Sequence, residues 1–196
     1  MEYSERVVAH AGRVASLLDE FIGLLFATRT TAALWNVLGR RHPTARAHAW
    51  MMSEGAILIT MRRFDDLWRH HVQDLLEPSD LGFDAGAWLA REIAERNIRT
   101  TASRMVAHYA AEKSDAPLTV EDVEALMRSN GWLTDYDVRV WAGEAMWKIA
   151  AVWAGLRAKY TLSGSEPKEW MVAALDDAQW VIDTIAERYG LRKESP

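Results

Sequence analysis

The chain contains no cysteine. That excludes a disulfide framework, thiolate zinc sites and thiol nucleophiles, and it fits a reducing compartment. It also lacks an apolar run approaching the roughly 20 residues of a membrane-spanning helix. The best stretch, AMWKIAAVWAGL at 145–156, is short and interrupted by Lys148. The first residues, MEYSERVVAHAGR, carry two acids and no apolar core of a signal peptide, so the expected location is cytoplasmic, with no membrane partner. Positive charge is in short supply: 23 Lys and Arg face 28 Asp and Glu, for a net charge of −5. A strongly basic nucleic-acid-binding domain is thereby disfavoured, although Arg91, Arg96, Arg99 and Arg104 form a local basic strip. Phosphate-cradling glycine loops are missing, since Gly39 and Gly55 stand alone. Ser53 and Ser103 have no arrangement of bases suggesting a nucleophilic triad. No segment alternates with period two long enough to form a strand, and no internal repeat is present.

What remains is helical periodicity. At 196 residues, 49% hydrophobic and 26% charged, the chain fits one domain spanning residues 1–196. A chain of that length buries roughly 70% of its unfolded surface. Apolar residues recur at three- and four-residue spacing from about Ser4 to Thr28, and Thr31 can cap a short helix ending before Gly39. A long helix is expected from about Thr44 toward Leu76, followed by a loop at 77–86. Asp84 can cap a helix from about Ala85 to Lys113. A second loop, SDAPLT at 114–119, leads to a short helix ending near Met127. Two long helices complete the chain: one from about Asp135 to Tyr160, and a last one that opens with Pro167 and closes at Gly190. The predicted fold class is all-α, a helical bundle of about four long helices plus short accessory helices. Most of the ten tryptophans fall on apolar stripes and are expected in the core.

Chemistry concentrates in RMVAHY, Arg104 to Tyr109. Arg104 and His108 are one helical turn apart and project from nearly the same face. In that arrangement His108 can act as general acid or base at a phosphodiester while Arg104 holds the phosphate. The alternative is a partly exposed histidine bonded to the last carbonyls of its helix. Arg99, nine residues before His108, falls on the opposite face of a continuous helix. A second cluster, Asp65, Asp66, His70, His71 and Asp74, offers a metal edge through the i, i+4 pair Asp66 and His70. Its alternative is a solvated helix end. His10, His42 and His48 stand isolated in sequence.

The stretch ASRMVAHYAAEKSDAPLTVEDVEALM, Ala102 to Met127, resembles the C-terminal motif region of HEPN domains, in the branch associated with phage abortive infection. Val106, Ala107 and His108 match the motif core, and Thr119 to Met127 match the short helix after it. Arg62, Arg63, Phe64 and Asp65 stand where the family's second long helix ends in an arginine-rich element. The family's arginine lies further ahead of its histidine, at positions held here by Thr101, Ala102 and Ser103, and Tyr109 replaces a common arginine.

The resemblance implies an all-α homodimer in a defence or toxin–antitoxin setting, with RNA or a nucleotide as ligand and an antitoxin-like protein as partner. It calls for neither metal nor cofactor. If Arg104 takes the displaced arginine's role, the activity implied is metal-independent RNA cleavage by His108 and Arg104, with Arg99, Ser103, Tyr109 and Glu112 contacting substrate. If it does not, the chain binds RNA or a nucleotide without cutting. The competing expectation is a non-catalytic helical module for oligomerisation or partner binding.

Overall fold

A computed structural model describes residues 3–39, 42–103, 125, 128–129, 135–163 and 167–190. The protein is all-α, and no strand occurs among the described residues. Its elements are α1 (Glu5–Leu38), α2 (Pro43–Leu67), a π-helical turn (Trp68–Val72), α3 (Gln73–Leu75), α4 (Phe83–Glu95), α5 (Asp135–Tyr160) and α6 (Pro167–Arg188). A further helical segment is described over 98–103.

Helix α1 is the axis of the bundle and packs against α2, α5 and α6. Contrary to the expectation that no stretch approaches the size of a membrane-spanning helix, α1 is long and apolar enough to cross a membrane by length and composition alone; its buried stripe (Ala11, Val14, Leu18, Phe21, Ile22 and Leu25) belongs to the protein core. The expected break before Thr31 does not occur. Thr28 and Thr30 donate their hydroxyls to the carbonyls of Leu24 (2.7 Å) and Phe26 (3.0 Å), four residues back, so the threonines are absorbed into one continuous helix.

Helix α5 has the bounds its pattern predicts. Val138, Trp141, Ala142, Ala145, Ile149, Val152, Trp153 and Leu156 are all buried. Between α2 and α5 the chain is fitted backbone against backbone. Gly82, at φ 85°, caps α4 in the left-handed region, and a side chain there would strike the Ala151 carbonyl. Helix α4 therefore starts at Phe83, and Asp84 lies in its first turn rather than at its cap. Trp68 is 1% exposed, covers Gly86 and packs between Phe64 and Phe83.

Three further expectations need correction. The helix predicted over 85–113 is interrupted after Glu95, where Asn97 takes a left-handed φ of 51° before helix resumes at 98. Asparagine tolerates this conformation, and α4 can therefore end early. The last helix is seated less deeply than its pattern suggests. Met171 is buried, whereas Leu175 and Val181 of the same apolar set are exposed. The tryptophans divide: Trp68, Trp141 and Trp153 are core residues, but Trp147 is 40% and Trp180 69% exposed.

Candidate functional site

The best-defined polar constellation in the fold lies where α2 meets the segment 98–103. Along α2, the buried side follows Leu58, Met61, Phe64, Asp65 and Trp68. Asp65 thus carries a carboxylate on the apolar face and has no exposed surface. Such burial requires compensating charge. Two arginines supply it. Arg69, one turn further on, donates from Nε to Asp65 Oδ1 at 2.9 Å, and Arg99 Nε stands 3.1 Å from Oδ2. The latter contact is an ion pair without a hydrogen bond to Oδ2; Arg99 donates instead to Asp66, so one guanidinium spans two adjacent carboxylates.

The segment 98–103 divides its faces accordingly. Ile98, Thr101 and Ala102 are fully buried, while Arg99 and Ser103 reach the polar edge of α2. Thr101 donates its hydroxyl to the Asn97 carbonyl at 3.0 Å, tying the segment to the turn before it. Arg62 Nη1 donates to Ser103 Oγ at 2.9 Å, and that hydroxyl donates to the Arg99 carbonyl at 2.8 Å. Asp66 meets Arg99 and Arg62 meets Ser103, so the two segments run antiparallel. Arg62 is exposed and has no carboxylate partner among the described residues. Together Arg62, Arg69 and Arg99 bring three positive charges to two carboxylates, leaving a local surplus of one.

Of the residues singled out in the sequence, the structure brings Ser103 and Arg99 together with Arg62. Arg99 pairs with Asp65 and Asp66 and keeps 42% of its side chain exposed. His108, Arg104, Tyr109 and Glu112 lie outside the described residues. The basic strip is neutralised over its described length. Arg91 pairs with Glu95, Arg96 with Glu92, and Arg99 with the two aspartates. The aspartate–histidine cluster divides: His70, His71 and Asp74 are exposed near the helix end, as a solvated end would have them, whereas Asp65 and Asp66 turn to another segment. Asp65 and Asp66 face arginines, and no group of three His, Asp or Glu converges among the described residues. His10, isolated in sequence, meets His71 edge-on at 5.2 Å between ring centroids.

A second ionic group holds the loop 77–82 on α5. Lys159 Nζ lies 2.6 Å from Asp80 Oδ2 and 3.4 Å from Glu77 Oε1, and the Glu77 amide donates to Asp80 Oδ2 at 2.7 Å. The Glu77 amide and then Lys159 hold the Asp80 carboxyl below the ordinary carboxylate value. Burial opposes the charge on Lys159, but Asp80, Tyr160 and Glu77 outweigh it and raise its pKa. Burial pushes the Tyr160 phenol up, and its hydroxyl donates to the Leu75 carbonyl at 2.8 Å. These groups brace the fold.

Arg62 in its setting is the feature that sequence reasoning undervalued. Its partner is 41 residues away, so no local spacing announces it. One signal was present: Asp65 interrupts an apolar stripe, which marks a buried carboxylate in need of basic partners. Compared with known proteins, the chain matches no family model, no curated protein and no solved structure.

Proposed function

We propose that the protein binds RNA through its phosphates at the junction between α2 and the segment that leads into Arg104–Tyr109, and cuts it without a metal. The observation that carries this reading is Arg62. It is an exposed guanidinium free of carboxylates among the described residues, hydrogen-bonded to Ser103, the neighbour of Arg104. A guanidinium so held can bind a phosphate with its remaining donors. In this mechanism Arg62 and Arg104 hold the phosphate. His108 takes the proton from the ribose 2′-hydroxyl or returns one to the leaving oxygen. Arg99 serves as a positioning residue, since its charge is spent on Asp65 and Asp66. The HEPN resemblance supports the same assignment and adds a homodimer with an antitoxin-like partner in a defence system.

The test is RNA cleavage by the purified protein in EDTA. The wild type is expected to cut, and His108→Ala to lose the cutting while keeping its helical circular dichroism. Cleavage at an unchanged rate in that variant would remove His108 from the mechanism.

A second reading, a non-catalytic interaction module, is favoured by α6. That helix exposes Val172, Leu175, Trp180 and Val181. A protein that stays monomeric at all concentrations and captures no partner would exclude it.

A further inference from the structure

Away from the arginine–aspartate junction, α1, α5 and α6 line a solvent-open cleft of about 360 Å³. Phe26 and Arg29 of α1, Val140 of α5, and Leu175, Ala178 and Ile182 of α6 line it. The α1 and α6 contributions each follow helical spacing, so two helix faces oppose one another across the space. Its volume lies within the range of small-molecule sites, and its wall has their usual composition: mostly apolar, with Asn36 and Gln179 as polar members and Arg29 as the one charged group among the described residues.

Arg29 is the unusual member. It is half-buried, burial lowers its pKa, and no carboxylate pairs with it among the described residues. By contrast, Arg63, Arg69, Arg91, Arg96 and Arg99 all have acidic partners. The guanidinium lies across Gly143 of α5, where a Cβ would stand 3.0–3.2 Å from its atoms. The absent side chain at 143 makes room for the charge. Thr30, also on the wall, donates its hydroxyl to the Phe26 carbonyl and does not compete for an anion.

We infer that this cleft is a binding site for a small amphipathic carboxylate, with the carboxylate on Arg29 and the hydrocarbon body between α1 and α6. The two chemistries present, an uncompensated guanidinium and an apolar slot, are complementary to that class and to no neutral apolar molecule. A bidentate carboxylate repays the desolvation of Arg29. The apolar body covers Leu175 and Val140, which are 39% and 51% exposed without it. Because the ligand touches α1, α5 and α6, it fastens the last helix to the bundle.

Octanoate is a suitable probe, with 1-octanol and octylamine as controls of equal length. In calorimetric titration of the full chain, octanoate is expected to bind one per protomer and to raise Tm by about 5 °C near saturation. Octanol and octylamine are expected to bind at least tenfold more weakly. Arg29→Met, which keeps an unbranched apolar stem but removes the charge, is expected to lose octanoate binding by tenfold or more. Ala178→Phe fills the cleft, leaves Arg29 intact and should abolish binding equally; circular dichroism confirms that each variant folds. Failure of octanoate to bind the folded wild type would overturn the proposal, as would equal binding to Arg29→Met or equal binding of octanol. A dimer that Arg29→Met dissociates, with no octanoate binding to the wild type, would reassign Arg29 to a subunit interface.

Discussion

Arg99 Nε stands 3.1 Å from Oδ2 of Asp65, a carboxylate with no exposed surface, and the same guanidinium also bonds Asp66. The contact fastens the chain that enters Arg104 to the helix that carries Arg62. It is both a stability element and the support of the proposed site.

Removing one side of this contact should cost more than removing both. Arg99→Met leaves the buried Asp65 with Arg69 alone and is expected to destabilise by about 2–4 kcal/mol. Asp65→Asn is expected to cost less, because Arg69 and Arg99 are 44% and 42% exposed and can rehydrate. In a double-mutant cycle by urea denaturation, the double variant should be more stable than the sum of the single losses. Strict additivity would mean that the pair is not coupled.

Two glycines should respond oppositely to alanine. At Gly155 an added Cβ would run into the Leu81 backbone carbonyl, which cannot yield as a side chain does. Gly155→Ala is expected to cost about 1–3 kcal/mol. Gly12, inside α1, has nothing within 4 Å of the added Cβ. Gly12→Ala should stabilise by about 0.5–1 kcal/mol through helix propensity and a less flexible unfolded chain. Thermal unfolding of the two variants distinguishes these signs.

The Asp80–Lys159 pair makes stability pH-dependent at both extremes. The depressed Asp80 carboxyl contributes fully above the ordinary aspartate pKa of about 3.9, and the contribution disappears as pH falls through its lower folded value. The raised Lys159 contributes fully below 10.5 and loses its contribution as pH rises through its folded value. The urea midpoints of wild type and Asp80→Asn should therefore differ at neutral pH and converge in acid below about pH 4. A difference that persists unchanged in acid would contradict the assignment.

The helices were legible because their signal is local. The stripe from Val138 to Leu156 needs only a 3.6-residue period, and all eight of its predicted core positions are buried. The break at Asn97 escaped the pattern because apolar periodicity continues across it through Ile93, Ile98 and Ala102. The continuity of α1 past Thr31 depended on hydroxyl-to-carbonyl bonds that composition does not report. At the candidate site the residue types were visible, but their pairing was not. Arg99 joins carboxylates 33 and 34 positions earlier, and an i, i+4 reading of Asp66 and His70 could not foresee an arginine from another segment. Arg29 escaped for the same reason: its lack of a carboxylate partner among the described residues is a property of three packed helices.

RNA binding at Arg62 is the central claim, and fluorescence anisotropy with a labelled single-stranded RNA at several salt concentrations measures it most directly. Arg62→Gln retains a donor for Ser103 but loses the charge. The account predicts about tenfold weaker binding at low salt and a salt dependence shallower by about 0.7 in the log–log slope, with helical content unchanged. Wild-type affinity and slope in the folded variant would contradict it.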